Sequence, residues 1–103
     1  MIAFAALADP TRRQIVEMLA IGERTAGDIA SHFEVSAPAI SQHLKVLRQA
    51  RLVRVRADAQ RRIYALDAAG IDEIDAWLSD IRRFWGGRLD ALEQELRAEG
   101  DTP

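Results

Sequence analysis

Cysteine is absent from the 103 residues. The chain therefore forms no disulfide, carries no thiolate nucleophile, and offers no ligand for iron–sulfur clusters or cysteine-based zinc sites. Long apolar runs are missing as well, since none approaches the roughly 20 residues that a helix needs to cross a bilayer. The apolar start, Met1–Ala8, has no basic flank and is not expected to be a secretory signal. The sequence predicts a cytoplasmic protein with no membrane partner.

The length predicts a single domain that covers residues 1–103, because domains of about 100–150 residues are the commonest. A chain this short buries only about 60–65% of its unfolded surface. Hydrophobic residues make up 49% of the sequence and charged residues 29%, as in ordinary globular proteins. The core is therefore expected to be small, and burial against a second chain would enlarge it.

Charge is distributed unevenly along the chain. The net charge of −2 argues, by itself, against a nucleic-acid partner. However, residues 36–66 contain seven basic residues and one acid, whereas the segments before and after carry net charges of −2 and −6. A basic middle between acidic ends is expected where one face of a protein meets a polyanion. The alternative is a chance cluster on a solvated surface.

The first half of the sequence has helical spacing. Residues 2–7 are apolar and predict a short helix. Asp9 is a suitable N-cap for a second helix over residues 10–21, because its carboxylate can accept from the free amides of the first turn. Pro10 suits the first helical position, and Gly22 is a natural stop. The helix over 10–21 should bury its apolar residues at three- and four-residue spacing.

Two further helices follow, separated by a short break. Thr25 is expected to cap the first of them, with Asp28 three residues later, and its apolar face extends to Phe33. Residues 34–36 form the break, and Ser36 caps a helix that carries a proline in its first turn and ends near Ala50. Polar side chains that can donate hydrogen bonds lie opposite the apolar stripe of this helix: Ser41, Gln42, Lys45, Arg48 and Gln49.

The periodicity then changes from helical to twofold. Val53 and Val55 alternate with Arg54 and Arg56, and a second apolar run follows over residues 61–66. Two short strands around a turn predict a β-hairpin. The polar gap between the strands contains no glycine, so the turn type and the register stay open. The fold class is therefore mainly α with a small β-hairpin.

The order of these elements predicts a winged helix-turn-helix. A helix fits the major groove of DNA, and side chains near its N-terminal half reach base edges. The basic hairpin that follows would lie along the phosphate backbone as a wing. Residues predicted to contact DNA lie on the second helix of the pair and on the hairpin: Ser36, Ala37, Ala39, Ser41, Gln42, His43, Lys45, Arg48, Arg54, Arg56, Arg61 and Arg62.

Residues 71–98 form one long helical pattern with apolar side chains every three or four positions. Such a helix would reach roughly 40 Å, which is more than a small domain needs for its own core. The excess favours a homodimer, and the alternative is a helix that folds back at Gly86-Gly87. Residues predicted to form the dimer interface lie on the first and last helices: Ile2, Phe4, Leu7, Ile74, Leu78, Ile81, Trp85, Leu89 and Leu92.

Several segments resemble the ArsR/SmtB family of bacterial winged-helix repressors. Residues 6–15, ALADPTRRQI, are similar to the opening helix signature of that family, and residues 35–48, VSAPAISQHLKVLR, to its recognition helix. Residues 52–56 and 61–66 resemble its wing. The resemblance covers nearly the whole chain. It implies a homodimer, joined through its first and last helices, that binds double-stranded DNA at a pseudo-palindromic operator and represses transcription.

The chain departs from the family's metal sensors. Those proteins bind metal through cysteines in the helix before the recognition helix, or through histidine and acidic ligands on the last helix. Here residues 25–30 lack a thiol and the last helix lacks histidine. The resemblance therefore implies the non-metal-sensing branch, with no metal site and no cofactor, and it leaves open whether a small-molecule effector exists. The family also usually has glycine where this chain has Arg51, which implies a left-handed backbone at that residue.

No pattern typical of an enzyme is found in the sequence. The two histidines, His32 and His43, belong to no catalytic triad, and nucleophile-elbow, dinucleotide-binding and phosphate-loop motifs are missing. His32 is expected at the surface, and His43 on the DNA-reading helix. The rival to a DNA-binding regulator is therefore a protein-interaction module that uses a winged helix without reading DNA. The basic middle segment argues against that rival.

Overall fold

The computed structural model describes residues 1–100, so the last three residues of the predicted domain lie outside the described part. The structure is mainly helical with one small antiparallel sheet, in the strand order β1-β3-β2, which confirms the predicted fold class. The elements are α1 (Ile2–Ala6), α2 (Pro10–Ile21), β1 (Arg24–Thr25), α3 (Ala26–Ser31), α4 (Ala37–Gln49), β2 (Val53–Asp58), β3 (Arg61–Leu66) and α5 (Ala68–Gly100).

Side-chain caps begin the helices where the sequence predicts them. The Asp9 carboxylate accepts from the backbone amides of Thr11 and Arg12, at 2.8 and 3.2 Å, and α2 spans the predicted residues 10–21. Ser36 Oγ accepts from the amide of Ala39 at 3.3 Å and begins α4. These caps satisfy amides that have no partner inside the helix, so the helix starts are fixed locally.

The helix α3 is shorter than predicted. Thr25 Oγ1 accepts from the Asp28 amide at 3.1 Å and caps it as expected, but the helix ends at Ser31 and does not include Phe33. Ser31 Oγ donates to the Asp28 carbonyl at 2.7 Å, and Nδ1 of His32 lies 2.8 Å from the same oxygen. Side chains thus satisfy a carbonyl at the end of the helix, and the connection to α4 comprises residues 32–36.

The hairpin is confirmed, and a third strand that the sequence did not predict joins it. β2 and β3 pair over all six residues of each strand, from Val53 opposite Leu66 to Asp58 opposite Arg61. The connecting turn has two residues, of which Ala59 has a φ of 56°. A positive φ at the first turn residue alone is the pattern of a type II′ turn. β1 adds two residues to the other edge of β3.

The core lies between α2, α3, α4 and the start of the hairpin. The helix α4 buries Ile40, Leu44 and Leu47, the stripe that its spacing predicts. Its opposite side stays in solvent, because the core is on one side only. The largest fully buried side chains are Ile15, Ile29, Ile40, Leu44, Leu47, Leu52 and Val53.

A left-handed residue ends α4 and brings α5 against it. Arg51 has a φ of 58°, as implied by the resemblance. Its amide donates to the carbonyl of Arg48 and the amide of Leu52 to that of Leu47, both at 3.0 Å, which is a Schellman motif. The Gly70 amide then donates to the Arg51 carbonyl at 2.7 Å. A Cβ at Gly70 would lie 2.6 Å from that oxygen, so only glycine fits there.

The helix α5 is continuous over 33 residues and is about 50 Å long at 1.5 Å per residue. Gly86 and Gly87 lie inside it, so the alternative in which the helix folds back at this pair is wrong. No helix within residues 1–100 combines the length and the apolar character needed to cross a membrane.

Candidate nucleic-acid interface

A cleft of about 290 Å³ lies between α4 and the hairpin of β2 and β3, which we call the wing. The side chains that line it come from two elements and are largely polar or basic: Ser41, Gln42, Lys45 and Arg48 from α4, and Arg62 and Tyr64 from β3. Five of these six residues are predicted DNA contacts, and the sixth, Tyr64, is buried at the base of the wing. The structure therefore brings the exposed side of α4 and one side of the wing onto a shared surface.

The four arginines of the wing do not share one face. Side chains alternate between the two faces of a sheet, and residues opposite each other across a strand pair share a face. Arg62 pairs with Ala57 and has the same alternation as Tyr64, so it belongs to the inner face, which is turned toward α4. Arg54, Arg56 and Arg61 have the opposite alternation and lie on the outer face. The prediction treated all four as one basic surface, and the structure divides them.

Ion pairs separate the basic residues further. Arg56 on the outer face donates to Glu23 at 2.9 Å, and this hydrogen bond, together with the charge of Glu23, raises the pKa of Arg56. Arg61 pairs with Asp58 at 3.2 Å. Within residues 1–100, no ion pair is found for the three basic residues of the cleft, Lys45, Arg48 and Arg62. Their charge is therefore available to a polyanion.

The start of α4 presents backbone amides to solvent. Ser36 and Ala37 are exposed, and Ala39 is half-buried. The first amides of a helix have no partner inside it, and the helix dipole makes this end positive. Ser36 Oγ accepts from the Ala39 amide, so its hydroxyl proton remains a donor. These predicted contacts are placed where they can meet a phosphate.

His43 is half-buried and, unlike the predicted contacts that line the cleft, it is turned toward α2. Its Nδ1 lies 3.4 Å from Nη1 of Arg12. The carboxylate of Asp9 is nearby. The hydrogen bond from the Arg12 amide lowers the pKa of Asp9 most, against burial, which raises it, and the Thr11 amide lowers it further. The charge of Arg12 also lowers it, as does the charge of the His43 ring in acid, where that ring is protonated. No pattern in the sequence indicates the contact between Arg12 and His43, whose positions are 31 residues apart.

An apolar surface lies away from the cleft, on α1 and α5. Phe4 of α1 contacts Trp77 of α5 edge-to-face, with ring centroids 4.9 Å apart. Of the predicted interface residues, Leu7 and Ile74 are partly buried against the chain's own core. The remaining ones are exposed: Ile2, Phe4, Leu78, Ile81, Trp85, Leu89 and Leu92. No group of three or more potential metal ligands comes together in the described part of the chain.

Known proteins resemble this chain over most of its length. Residues 9–55 match the family described as "Bacterial regulatory protein, arsR family". The HTH-type transcriptional regulator Rv2034 of Mycobacterium tuberculosis (strain ATCC 25618 / H37Rv) is 48% identical over 99 residues, which cover 96% of this chain and 90% of that protein. The transcriptional repressor SdpR of Bacillus subtilis (strain 168) is 41% identical over 75 residues, covering 73% and 83%.

Solved structures of transcriptional regulators also resemble this chain over most of its length. The crystal structure of a possible transcriptional regulator for arsenical resistance has a TM-score of 0.74 and 40% identity, covering 92% of this chain and 96% of that one. An ArsR-like transcriptional regulator from Rhodococcus sp. RHA1 has a TM-score of 0.73 and 31% identity, covering 90% and 88%. The segment that matches the family includes α2, α3, α4 and the start of the wing. This chain is a DNA-binding transcriptional regulator and not an enzyme, and it belongs to the ArsR family.

Proposed function

We propose that the chain is a homodimeric repressor that binds a pseudo-palindromic operator with α4 and the inner face of the wing. The observation that carries this proposal is the cleft between α4 and the wing. It combines three basic side chains that form no ion pair within residues 1–100, Lys45, Arg48 and Arg62, with the amide of Gln42. Such a surface has both charge for phosphates and a side chain that can read a base.

Each side chain of the cleft has a role that its chemistry supports. Gln42 lies in the first half of α4 and can pair bidentately with adenine, and Ser41 beside it can donate to a base edge. Lys45, Arg48 and Arg62 hold phosphates. Arg54 on the outer face adds to the positive potential around the wing without direct contact, whereas the charges of Arg56 and Arg61 are offset by Glu23 and Asp58.

The exposed stripe on α1 and α5 supports a second copy of the chain as its partner. Leu89 and Leu92 are 61% and 52% exposed, although they lie on the apolar side of a long helix. A contiguous apolar surface of this kind on a small protein marks an interface. A twofold dimer places two copies of α4 on one side of the duplex, about one helical turn of DNA (roughly 34 Å) apart or a multiple of it, which requires a pseudo-palindromic site.

Repression and location follow from the same assignment. SdpR is described as a transcriptional repressor, and other relatives are described as repressors of resistance operons. A dimer bound over a promoter blocks it sterically, without a further activity of its own. The target is DNA, and the chain acts in the cytoplasm, where bacterial DNA lies.

The experiment that tests this function measures binding to the DNA upstream of the chain's own gene, against a scrambled duplex, at several salt concentrations. We expect Gln42→Ala to weaken binding to the operator by about 1–3 kcal/mol and to lose discrimination. Arg62→Ala should weaken both duplexes equally and reduce the salt slope by about one unit. Arg54→Ala is the matched control, because it removes the same charge from the outer face, and it should change the slope little.

Two outcomes would contradict the proposal. If Arg54→Ala and Arg62→Ala weaken binding equally, the charge matters and its position does not, so the inner face is not the DNA surface. If the wild type binds neither duplex at about 50 mM salt, where phosphate contacts are strong, the chain is a protein-interaction module of this family. To test repression, a reporter gene is placed behind the same upstream DNA. Its expression should rise when the gene that encodes this chain is deleted.

A further inference from the structure

One arginine joins three helices next to the DNA-reading surface. Arg12 lies in the first turn of α2, and its Nε donates to the carbonyl of Ala6, the last residue of α1. Its Nη1 lies 3.4 Å from Nδ1 of His43 on α4. The side chain is partly buried, so this guanidinium is held between the elements and does not move freely in solvent.

The chemistry of the two groups determines the direction of their hydrogen bond. A guanidinium has five N–H donors and no acceptor. Nδ1 of His43 must therefore accept, which requires a neutral ring with its proton on Nε2. We propose that Arg12 is a positioning residue that holds His43 in the Nε2–H tautomer, so that the ring donates from Nε2 to a phosphate of the bound DNA. This inference rests on the proposed function only in its last step.

The other histidine of the chain has the opposite arrangement. Nδ1 of His32 lies 2.8 Å from the carbonyl oxygen of Asp28, which can only accept. The proton of His32 is therefore on Nδ1. Since His32 and His43 are the two histidines of the sequence, each provides the reference for the other in one sample.

The location of His43 supports a phosphate and not a base as the acceptor. In the described residues, Nε2 of His43 has no hydrogen-bond partner. The ring is turned toward α2, whereas the residues that line the cleft, such as Gln42, lie on the side of α4 that faces the wing. A donor held at the flank of the recognition helix meets the sugar–phosphate backbone, which fixes the register of the protein on the duplex.

The next residue offers a matched control. Arg13 donates to the carbonyls of Leu7 and Ala8, at 2.9 and 3.3 Å, so it also binds the chain at the end of α1. No hydrogen bond between the Arg13 side chain and α4 is found in residues 1–100. A general loss of stability at this end of α1 would therefore affect Arg12→Ala and Arg13→Ala alike, whereas a role of Arg12 through His43 would not.

The first experiment identifies the tautomers without DNA. Long-range ¹H–¹⁵N correlation of the imidazoles at about pH 8, where an ordinary histidine is neutral, should show Nε2–H for His43 and Nδ1–H for His32. Arg12→Ala, or Arg12→Lys if the alanine variant does not fold, should convert His43 alone to a mixture, and Arg13→Ala should change neither ring. Nδ1–H at His43 in the wild type, or a His43 spectrum unaffected by both Arg12 variants, would overturn the proposal.

The second experiment is a double-mutant cycle on DNA affinity, at the pH of the first. Arg12→Ala and His43→Ala should each weaken binding at least about tenfold, as expected for a hydrogen bond to a charged group. The double variant should be no weaker than His43→Ala, and Arg13→Ala should bind normally. Additive losses would show that Arg12 acts independently of His43 and would refute the proposal.

Two further measurements distinguish a failure of this inference from a failure of the proposed function. His43→Asn keeps an acceptor near Nδ1 but has no donor at the position of Nε2, so it should bind as weakly as His43→Ala. Losses should be equal on operator and scrambled duplexes, and a loss on the operator alone would overturn the assignment to a phosphate. A wild type that binds no DNA refutes the proposed function and the role of Nε2, while the tautomers are still decided by the spectra.

Discussion

Replacing Arg51 by glycine should stabilise the protein. Arg51 has a φ of 58° at the end of α4. A residue with a Cβ loses about 1–2 kcal/mol in this left-handed conformation, whereas glycine does not. Glycine in turn costs about 0.5–1 kcal/mol through the extra freedom of the unfolded chain. The two hydrogen bonds of the Schellman motif use backbone atoms only and are kept. The net gain should therefore be about 0.5–1 kcal/mol.

A thermal melt followed by circular dichroism, at one fixed protein concentration, measures this gain. We expect Tm to rise by about 2–6 °C for Arg51→Gly. Arg51→Ala is the control, because it removes the same charge and keeps the Cβ, and its Tm should stay near that of the wild type. A lower Tm for the glycine variant would refute the reasoning. An equal rise in both variants would assign the gain to the lost charge.

Three further predictions concern packing, assembly and pH. Gly70→Ala should destabilise the fold by about 2 kcal/mol or more in urea unfolding, because its Cβ would lie 2.6 Å from a backbone oxygen, whereas Gly87→Ala, with nothing within 4 Å, should raise stability. Leu89→Lys together with Leu92→Lys should give monomers that no longer bind the operator, and an unchanged dimer in sedimentation would place the interface elsewhere. The pKa of Asp9 is lowered in the folded state, so its contribution to stability is present above about pH 4 and is lost as the pH falls through the folded pKa. Asp9→Asn, which still caps the helix, should therefore lose less stability than the wild type between pH 5 and pH 3. The free energy of unfolding, measured in urea across this range, checks this, and parallel curves of that free energy against pH for the two proteins would contradict it.

The parts of the fold that depend on local chemistry could be predicted from the sequence. Asp9 and Ser36 act as caps within three residues of their own position, and the alternation of Val53 and Val55 defines a strand. The strand β1 could not be predicted, because two residues are too few to show a period of two. The early end of α3 depends on side chains that compete for one carbonyl, which helix propensity does not describe.

The division of the wing arginines between two faces could be predicted from the sequence, but the contact between Arg12 and His43 could not. Arg62 has the same alternation as the buried Tyr64, so its position on the inner face follows once the register is known. The register itself depends on a turn without glycine, where sequence rules are weak. Arg12 and His43 meet only after α2 and α4 pack together, and no local pattern records that packing.

The junction of α4 and α5 has a mechanical consequence. Two backbone hydrogen bonds fasten it, from the Asp67 amide to the Leu52 carbonyl and from the Gly70 amide to the Arg51 carbonyl, and Ile71 and Ile74 of α5 pack against the core beside it. Gly70 itself has no side chain that could yield by changing its rotamer. Because this junction is rigid, a tilt of α5 is transmitted to the end of α4. At about 1.5 Å per residue, the arm formed by α5 is about 50 Å long and that of α4 about 20 Å. A weak push at the far end of α5 would thus act with a long lever on the angle at which α4 enters the major groove in the proposed complex with DNA.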